Sequence, residues 1–419
     1  MEDIFDKLQA VTGISKYSGS EIITPKEIVT DMVDLVEEAD KKVFNPDAKF
    51  LDPAVKSGRF LSELYRRLMD SPLMTQAFPN EQDRKQYILE HQLYGVATSP
   101  VAATIVRKQL YDNPKTAGNI VYTEDKVTKE LIQGAFNIMK FDVVIGNPPY
   151  NNDTYLDFVT LGHSLASKYT CMITPAKWQA KGGDKNEKFR KDIVPYMSKV
   201  VFYPNSGDLF EIVEKSGITY YLIEKDTKHV TKQIKNIDKF PNHVGFNSDF
   251  EISNMAYTTL YNSRIIGILS KIFGITHPIQ MNFQSYDKYN VLGTLMISFG
   301  GGSNRKTMYS KSGNLLVISE LKLVEREITG LYGQNFKCYY SSKSKTECES
   351  FISYCDTRLV RFLVFVGICG DAVSNKETWR FVPDPGAFDH IFTDQELYQK
   401  YGLTQDEIAI IESVIKERK

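Results

Sequence analysis

Between residues 22 and 223, short apolar runs alternate with longer stretches of helical period, and this alternation constrains the fold most. Strands buried on both faces read as continuous apolar runs, whereas the helices that cover them repeat an apolar residue every three or four positions. Seven runs fit strands: Phe50–Leu51, Leu93–Val96, Ile120–Tyr122, Phe141–Ile145, Tyr169–Ile173, Val200–Tyr203 and Ile218–Ile223. The pattern predicts an α/β domain with helices on both faces of a sheet.

The amino-acid composition changes after about residue 225. Asn, Ser, Lys and Tyr become common and the apolar runs shorten, which predicts a second domain of mixed, strand-rich structure. Near the end, Thr404 and Glu407 have the spacing of a capping box, which predicts a helix there. We therefore divide the chain into an N-terminal helical segment, an α/β domain, a mixed domain and a helical tail, at 1–45, 46–225, 226–380 and 381–419.

The composition is that of a globular protein without an overall basic coat. The chain of 419 residues has 51 Lys and Arg against 52 Asp and Glu, and 42% of its residues are hydrophobic, which argues against disorder. We expect no membrane span, because no run of about 18 uncharged apolar residues is present, and no signal peptide in the acidic first residues. Five cysteines without a C-x-x-C spacing predict reduced thiols in a cytoplasmic protein, with no metal site.

The segment FDVVIGNPPYNN at 141–152 is the most informative motif. A strand-like run ends there in Asn147, Pro148, Pro149 and Tyr150, and ligands of open α/β sheets bind where strands end. The prolines fix the backbone and donate no N–H. The side-chain oxygen of Asn147 and the carbonyl of Pro148 can therefore accept both hydrogens of an exocyclic amino group, while Tyr150 can stack on a base. A structural turn with Tyr150 as surface cover is the alternative interpretation.

Two segments nearer the N-terminus fit a small-molecule site less specifically. In KFLDPAVKSGRFL at 49–61, Asp52 ends a strand and Gly58 opens a helix, an arrangement that places a cofactor over a helix N-terminus or serves as an ordinary βα turn. Thr24, Pro25 and Glu27 have the spacing of an N-cap, a first-turn proline and a capping-box acid. A well-capped helix explains that second spacing fully.

Taken in order, these motifs resemble those of the gamma-class N6-adenine DNA methyltransferases, in particular those of restriction–modification systems. The matching motifs are TP at 24–25, DPAVKSG at 52–58, NPPY at 147–150, ITPAKW at 173–178 and GDLF at 207–210. The resemblance covers essentially the whole chain. It implies a Rossmann-like S-adenosylmethionine-dependent methyltransferase domain at 46–225, and a mixed α+β domain at 226–380 that recognises double-stranded DNA. It leaves open a separate restriction endonuclease as a partner.

The resemblance also assigns residues to roles. The cofactor would be held by Thr24, Asp52, Ala54, Gly58, Thr98 and Asp125, the last meeting its adenine. The flipped target adenine would be held by Asn147, Pro148 and Tyr150, and Phe210 would stack on its other face. No metal is implied.

Two positions depart from the family pattern. Lys56 stands where glycine or alanine is more common, and we expect its side chain to point away from the cofactor. Ala97, followed by Thr98, stands where a carboxylate usually binds the ribose, and a hydroxyl would be weaker by about 1–2 kcal/mol. Because of these departures, a DNA-binding subunit that is catalytically weak or silent is an alternative interpretation. An N-methyltransferase for RNA or protein is another, because NPPY suits any planar amine or amide.

Because the net charge is close to zero, we expect the positive charge that contacts DNA to be confined to a localised basic groove between the two domains. We predict that the loop after Gly300–Gly302, formed by Ser303, Asn304, Arg305 and Lys306, reaches DNA, since glycines allow close approach to phosphates or bases. The basic stretches Lys225–Lys239 and Lys337–Lys345 are further candidates, although each alone is typical of a solvated face.

Overall fold

The structure, a computed structural model, describes most of the chain. The described residues are 10–12, 20–179, 183–203, 206–210, 214, 216–236, 246–251, 266–276, 278–279, 295–298, 322–324, 339–342, 344–367 and 379–415. The chain forms two compact units, and we describe each by itself. Unit 1 comprises residues 1–178, 183–238 and 245–254, and unit 2 comprises residues 179–182, 239–244 and 255–419.

Unit 1 is built on a nine-stranded sheet. Its strands are β3 (Phe50–Val55), β4 (Leu93–Ala97), β5 (Ile120–Tyr122), β6 (Phe141–Gly146), β7 (Ala166–Pro175), β8 (Met197–Tyr203), β9 (Ile218–Glu224), β10 (Thr231–Asn236) and β11 (Phe246–Glu251); a separate hairpin pairs β1 (Ala10–Thr12) with β2 (Ser20–Ile22). All seven predicted strands are present. The sheet continues through β10 and β11, beyond the boundary at residue 225 that the sequence suggested.

The strand order is β11-β10-β8-β9-β7-β6-β3-β4-β5. β9 lies antiparallel between β7 and β8, and β11 is antiparallel to β10, whereas the pairs from β5 to β7 are parallel. The chain proceeds outward from β3 through β4 to β5 and then returns to place β6 on the opposite side of β3. The order therefore reverses between β3 and β6, and such a switch point opens a ligand crevice at the carboxyl ends of the strands.

Eight α-helices of unit 1 flank its sheet. They are α1 (Lys26–Ala39), α2 (Arg59–Asp70), α3 (Pro72–Ala77), α4 (Glu81–His91), α5 (Pro100–Tyr111), α6 (Lys129–Phe136), α7 (Thr154–Leu165) and α8 (Asp184–Asp192). α1 packs on β7, β9 and α2, and buries the apolar stripe Ile28, Val29, Met32, Val33 and Val36. Burial of each such side chain contributes about 1.5–3 kcal/mol, so the stripe fixes α1 on the sheet.

The start of α1 differs from the sequence-based prediction. The capping box expected from Thr24 and Glu27 does not form: Pro25 is the N-cap residue and makes no side-chain capping bond. The hydroxyl of Thr24 is used elsewhere, as described below. The capping box predicted at Thr404 and Glu407 is confirmed at the start of a C-terminal helix.

Unit 2 combines a small sheet with helices. Strands β12 (Leu295–Ser298), β13 (Lys322–Val324) and β14 (Tyr339–Ser342) form an antiparallel sheet with β12 in the middle, and the helices are α9 (Ile266–Phe273), α10 (Lys345–Asp356), α11 (Arg358–Gly367), α12 (Asp394–Lys400) and α13 (Gln405–Val414). α12 and α13 contribute Leu397, Tyr398 and Ile411 to the same hydrophobic core as α9, α10 and α11. The segment expected to be a helical tail is thus part of this unit.

Candidate active site

The candidate site lies where β3 and β6 end at the switch point of the sheet. The two strands are parallel neighbours, with Phe50 opposite Val143 and Leu51 opposite Val144. Asp52 follows on β3, and Asn147 follows directly after β6. Because parallel strands end at the same edge, this register brings the motifs DPAVKSG and NPPY to one place.

The Asn147 side chain is buried, and only one of its two polar atoms has a hydrogen-bond partner within the described part of the chain. Its exposed fraction is 3%. Its Nδ2 donates to the hydroxyl of Thr24 over 3.1 Å, whereas its buried Oδ1 has no hydrogen-bond partner among the residues that the structure describes. An unpaired buried acceptor costs about 1–3 kcal/mol, and native proteins leave few of them. Asn147 Oδ1 is therefore an acceptor that a ligand can pair.

Thr24 connects the segment before α1 to this loop and to α2. Besides the hydroxyl contact with Asn147, its backbone oxygen accepts a hydrogen bond from Nη1 of Arg59 over 2.9 Å. Thr24 is itself buried. The residue that the sequence assigned to a helix cap thus positions the asparagine of the NPPY motif.

Tyr150 sits at the edge of the core with its hydroxyl buried. That hydroxyl has no hydrogen-bond partner within the described part of the chain, and burial raises the pKa of Tyr150 well above its usual value, so the phenol stays neutral. The ring of Tyr155 meets it nearly edge-on, at 6.5 Å and 80°. The ammonium of Lys56 lies over the Tyr150 ring, 5.9 Å from its centroid.

Asp52 is a buried carboxyl held against the end of β6. Its exposed fraction is 2%, and its Oδ1 accepts a hydrogen bond from the backbone N–H of Ala54 over 2.9 Å. Burial raises the pKa of Asp52 to about 7, against the opposing effects of the Ala54 N–H and of the charge on Lys56. A Cβ on Gly146 would lie 2.6 Å from Asp52 Oδ1. Only glycine at position 146 permits this close approach, and our sequence-based assignment did not include it.

One small pocket unites several of the predicted residues. Its lining comprises Thr24, Asp52, Ala54, Gly58 and Asn147 together with Ile22, Lys56, Ser57, Arg59 and Phe60. Lys56 is thus among the residues of this pocket, and its ammonium lies over the Tyr150 ring. Gly58 has φ +79°, and a Cβ there would approach Cγ2 of Val106 to 2.8 Å. Position 58 at the start of α2 therefore requires glycine for two reasons: its positive φ and the lack of space for a Cβ.

Five predicted residues within the described ranges are absent from the lining of this pocket: Thr98, Asp125, Pro148, Tyr150 and Phe210. Thr98 is buried after β4 and its hydroxyl donates to the carbonyl of Val55 over 3.2 Å. Asp125 is exposed after β5. Phe210, 4% exposed, belongs to the hydrophobic core on whose edge Tyr150 packs. Pro148 is buried directly after Asn147.

The predicted DNA-contacting residues Ser303, Asn304, Arg305 and Lys306 lie outside the described residues. Within the described ranges, no group of three or more His, Cys, Asp or Glu side chains is placed to hold a metal ion. The helices described here include none with the length and apolar character needed to cross a membrane. Cys171 and Cys355 are buried.

The parallel strands around the switch point, the glycine at the start of α2 and the polar strand ends define a Rossmann-like methyltransferase fold. Residues 3–236 match the family described as N-6 DNA Methylase. This match covers more than half of the chain and ends with β10, and the chain belongs to that family.

Three individual relatives share at most 27% sequence identity with this chain. An uncharacterized adenine-specific methylase of Mycoplasma pneumoniae is 27% identical, and the alignment covers 50% of this chain and 68% of that protein. The modification subunit of a putative type I restriction enzyme from Vibrio vulnificus is 12% identical, with 55% of each chain covered and a TM-score of 0.41. The M protein of the type I restriction enzyme EcoKI is 13% identical, with 94% of this chain and 72% of that chain covered and a TM-score of 0.42. This chain spans about half the length of the Vibrio subunit.

Proposed function

We propose that this protein is a site-specific DNA methyltransferase that transfers a methyl group from S-adenosylmethionine to the exocyclic amino group of a flipped-out adenine, within a restriction–modification system. One observation carries the proposal: the buried Oδ1 of Asn147, unpaired among the described residues, stands at the switch point beside the pocket that holds Asp52 and Gly58. An unpaired acceptor in that place suits an amino group that must be held for transfer.

The residues of the pocket fit S-adenosylmethionine. Asp52 is a carboxyl whose pKa is raised because it is buried, and a bound cation would favour its ionised form; the cofactor carries an ammonium and a sulfonium group. Gly58 and Gly146 each leave a space that a Cβ would close. The N-terminus of α2 opens on the same pocket. We assign Thr24, Asp52, Ala54 and Gly58 to this cofactor, with Thr98 towards its ribose and Asp125 towards its adenine.

When bound, the cofactor supplies an electrophilic methyl group. The chain's own contribution is to hold the amino nitrogen: Asn147 Oδ1 and the Pro148 carbonyl accept its two hydrogens, which raises electron density on the nitrogen. Tyr150 stacks on one face of the base and Phe210 on the other. After transfer, the nitrogen carries two hydrogens and the methyl group, and it releases one proton to solvent. No general base is required before transfer.

The base must leave the duplex to reach this site, at a cost of a few kcal/mol that stacking and backbone contacts offset. We propose that unit 2 provides much of the DNA contact, with Ser303, Asn304, Arg305 and Lys306 among the contacting residues. Binding through such residues weakens as salt rises, because counterions compete for the phosphates. A separate restriction endonuclease would cut the unmethylated site.

Base-resolution mapping of adenine methylation tests the proposal. DNA from cells that express the wild-type protein should carry methyl groups at adenines of one sequence, and DNA from cells that express Asn147→Ala should carry none there. Asn113→Ala, which changes an exposed asparagine of a remote loop, is the matched control and should methylate like the wild type. Unmethylated DNA with the wild-type protein, or full methylation with Asn147→Ala, would overturn the proposal.

A further inference from the structure

Lys56 stands between the cofactor loop and the tyrosine of the NPPY motif. It follows β3 directly and lines the pocket together with Asp52 and Asn147. Its Nζ lies 5.9 Å from the centroid of the Tyr150 ring, within the range of a cation–π contact. The Lys56 ammonium therefore covers one face of the Tyr150 ring.

An ammonium group and a stacked base need the same ring face. Tyr155 meets the Tyr150 ring at an interplanar angle of 80°, which is an edge-on contact that leaves stacking to the ring faces. A base stacked on the ring face that Lys56 covers would lie in van der Waals contact with the ring, so it excludes the Lys56 ammonium from that position. The two states of the ring face are therefore mutually exclusive.

We propose that Lys56 is a positioning residue that covers the base-stacking face of Tyr150 and is replaced there by the incoming adenine. This inference rests on the proposed function and adds to it a contact that every target base must displace. A base that stacks weakly on Tyr150 displaces the Lys56 ammonium less readily. Lys56 therefore lowers the occupancy of the site by such bases.

The displaced ammonium has a second partner within the same pocket. The charge on Lys56 already favours the ionised form of Asp52, and a lysine side chain has a flexible four-carbon stem that can redirect its head group. An exchange of the Tyr150 ring for the Asp52 carboxylate keeps the ammonium paired while the base is bound. Arrival of the base would then favour the ionised form of Asp52.

Two variants of Lys56 test the exchange in opposite directions. Lys56→Met keeps the length of the side chain and removes its charge, whereas Lys56→Arg keeps the charge and adds a planar group that stacks on aromatic rings. With saturating S-adenosylmethionine and a duplex that carries the mapped sequence, the KM for DNA should fall about two- to fivefold in Lys56→Met and rise by a similar factor in Lys56→Arg. Lys115→Met, at an exposed loop position, should match the wild type.

A second readout reports the base directly. In a duplex with 2-aminopurine at the target position, fluorescence rises when the base leaves the stack, and Lys56→Met should give a larger rise at equal protein concentration than Lys56→Arg. Equal KM values and equal fluorescence in the wild type and both variants, or the reverse order, would overturn the inference. A wild-type protein without turnover would instead overturn the proposed function itself, which separates the two failures. Should one variant fail to fold, the other still tests the direction of the change.

Discussion

The hydroxyl of Thr24 accepts a hydrogen bond from Nδ2 of Asn147 over 3.1 Å, across a sequence separation of 123 residues. This bond ties the segment that precedes α1 to the loop that follows β6. It uses the donor side of the amide and leaves Oδ1 as the acceptor available to a ligand. The segment before α1 is therefore part of the candidate site as well as of the fold.

Replacement of Thr24 should slow methyl transfer. In Thr24→Val the amide of Asn147 loses its buried acceptor, and an unpaired buried donor costs about 1–3 kcal/mol, so we expect the single-turnover rate to fall about five- to 150-fold. Thr24→Ser keeps the hydroxyl and should retain a rate close to that of the wild type. Equal rates in the valine and serine variants would show that the hydrogen bond does not position Asn147.

The ionisation of Asp52 should make the stability of the unliganded protein depend on pH. Its folded-state pKa of about 7 is higher than the ordinary value of 3.8, so the folded state binds the proton more tightly. The stabilisation is complete below about pH 4 and is lost as pH rises to about 7. The gap between the two pKa values corresponds to about 4 kcal/mol. Asp52→Asn lacks this dependence, and denaturant unfolding of both proteins at pH 5 and pH 8 measures the difference.

The same carboxyl should make cofactor affinity depend on pH. If the ionised form of Asp52 pairs with S-adenosylmethionine, affinity rises as pH passes from 6 to 8, and binding near pH 7 releases protons, which titration calorimetry detects in buffers of different ionisation enthalpy. Asp52→Asn should bind at least tenfold more weakly at pH 8, since hydrogen bonds to charged groups contribute about 1.5–3 kcal/mol. No binding by the wild-type protein at any pH would favour the alternative of a silent DNA-binding subunit.

The contact between Gly146 and Asp52 predicts a non-additive pair of substitutions. In Gly146→Ala the new Cβ would lie 2.6 Å from Oδ1 of Asp52. Overpacking of this kind costs about 1–3 kcal/mol. In Gly146→Ala combined with Asp52→Ala, the obstructing oxygen is absent. The double variant should therefore lose less free energy of unfolding than the two single variants together. Strict additivity would mean that the clash is relieved in another way.

The loop that contains Arg305 and Lys306 should contribute to DNA affinity through phosphate contacts. Replacement of both residues by alanine should weaken binding and reduce the slope of log K against log salt by about 2. Fluorescence anisotropy with a labelled duplex between 50 and 200 mM salt measures this slope. An unchanged slope would remove these residues from the DNA-binding surface.

The sequence predicted the sheet well because its strands are buried on both faces and read as apolar runs. Each of the seven predicted strands lies at its predicted position; β5 has its predicted length, and the other six are longer by one to five residues. β10 and β11 escaped prediction because Thr231–Asn236 and Phe246–Glu251 are rich in polar residues, a composition typical of a solvated face. They lie at one end of the sheet, where β11 is the edge strand.

The site was less predictable than the sheet. Asp52, Gly58 and Asn147 were predicted to share a site because each stands at a strand end or helix start, and the structure places all three in the lining of one pocket. The contact of the Lys56 ammonium with Tyr150 could not be predicted, because the two residues lie 94 positions apart along the chain. Local sequence carries no trace of such a contact, nor of the 2.6 Å spacing that demands glycine at position 146.

The pairing of β3 with β6 has a consequence for the alignment of the two reactants. Neighbouring strands are about 4.8 Å apart, and each residue advances a strand by about 3.3 Å. The distance between the cofactor loop and the NPPY loop is thus set by backbone hydrogen bonds in the middle of the sheet, and a slip of one residue would move one loop past the other by more than the length of a covalent bond. For the proposed methyl transfer, the alignment of the two reactants would thus depend on the register of two buried strands.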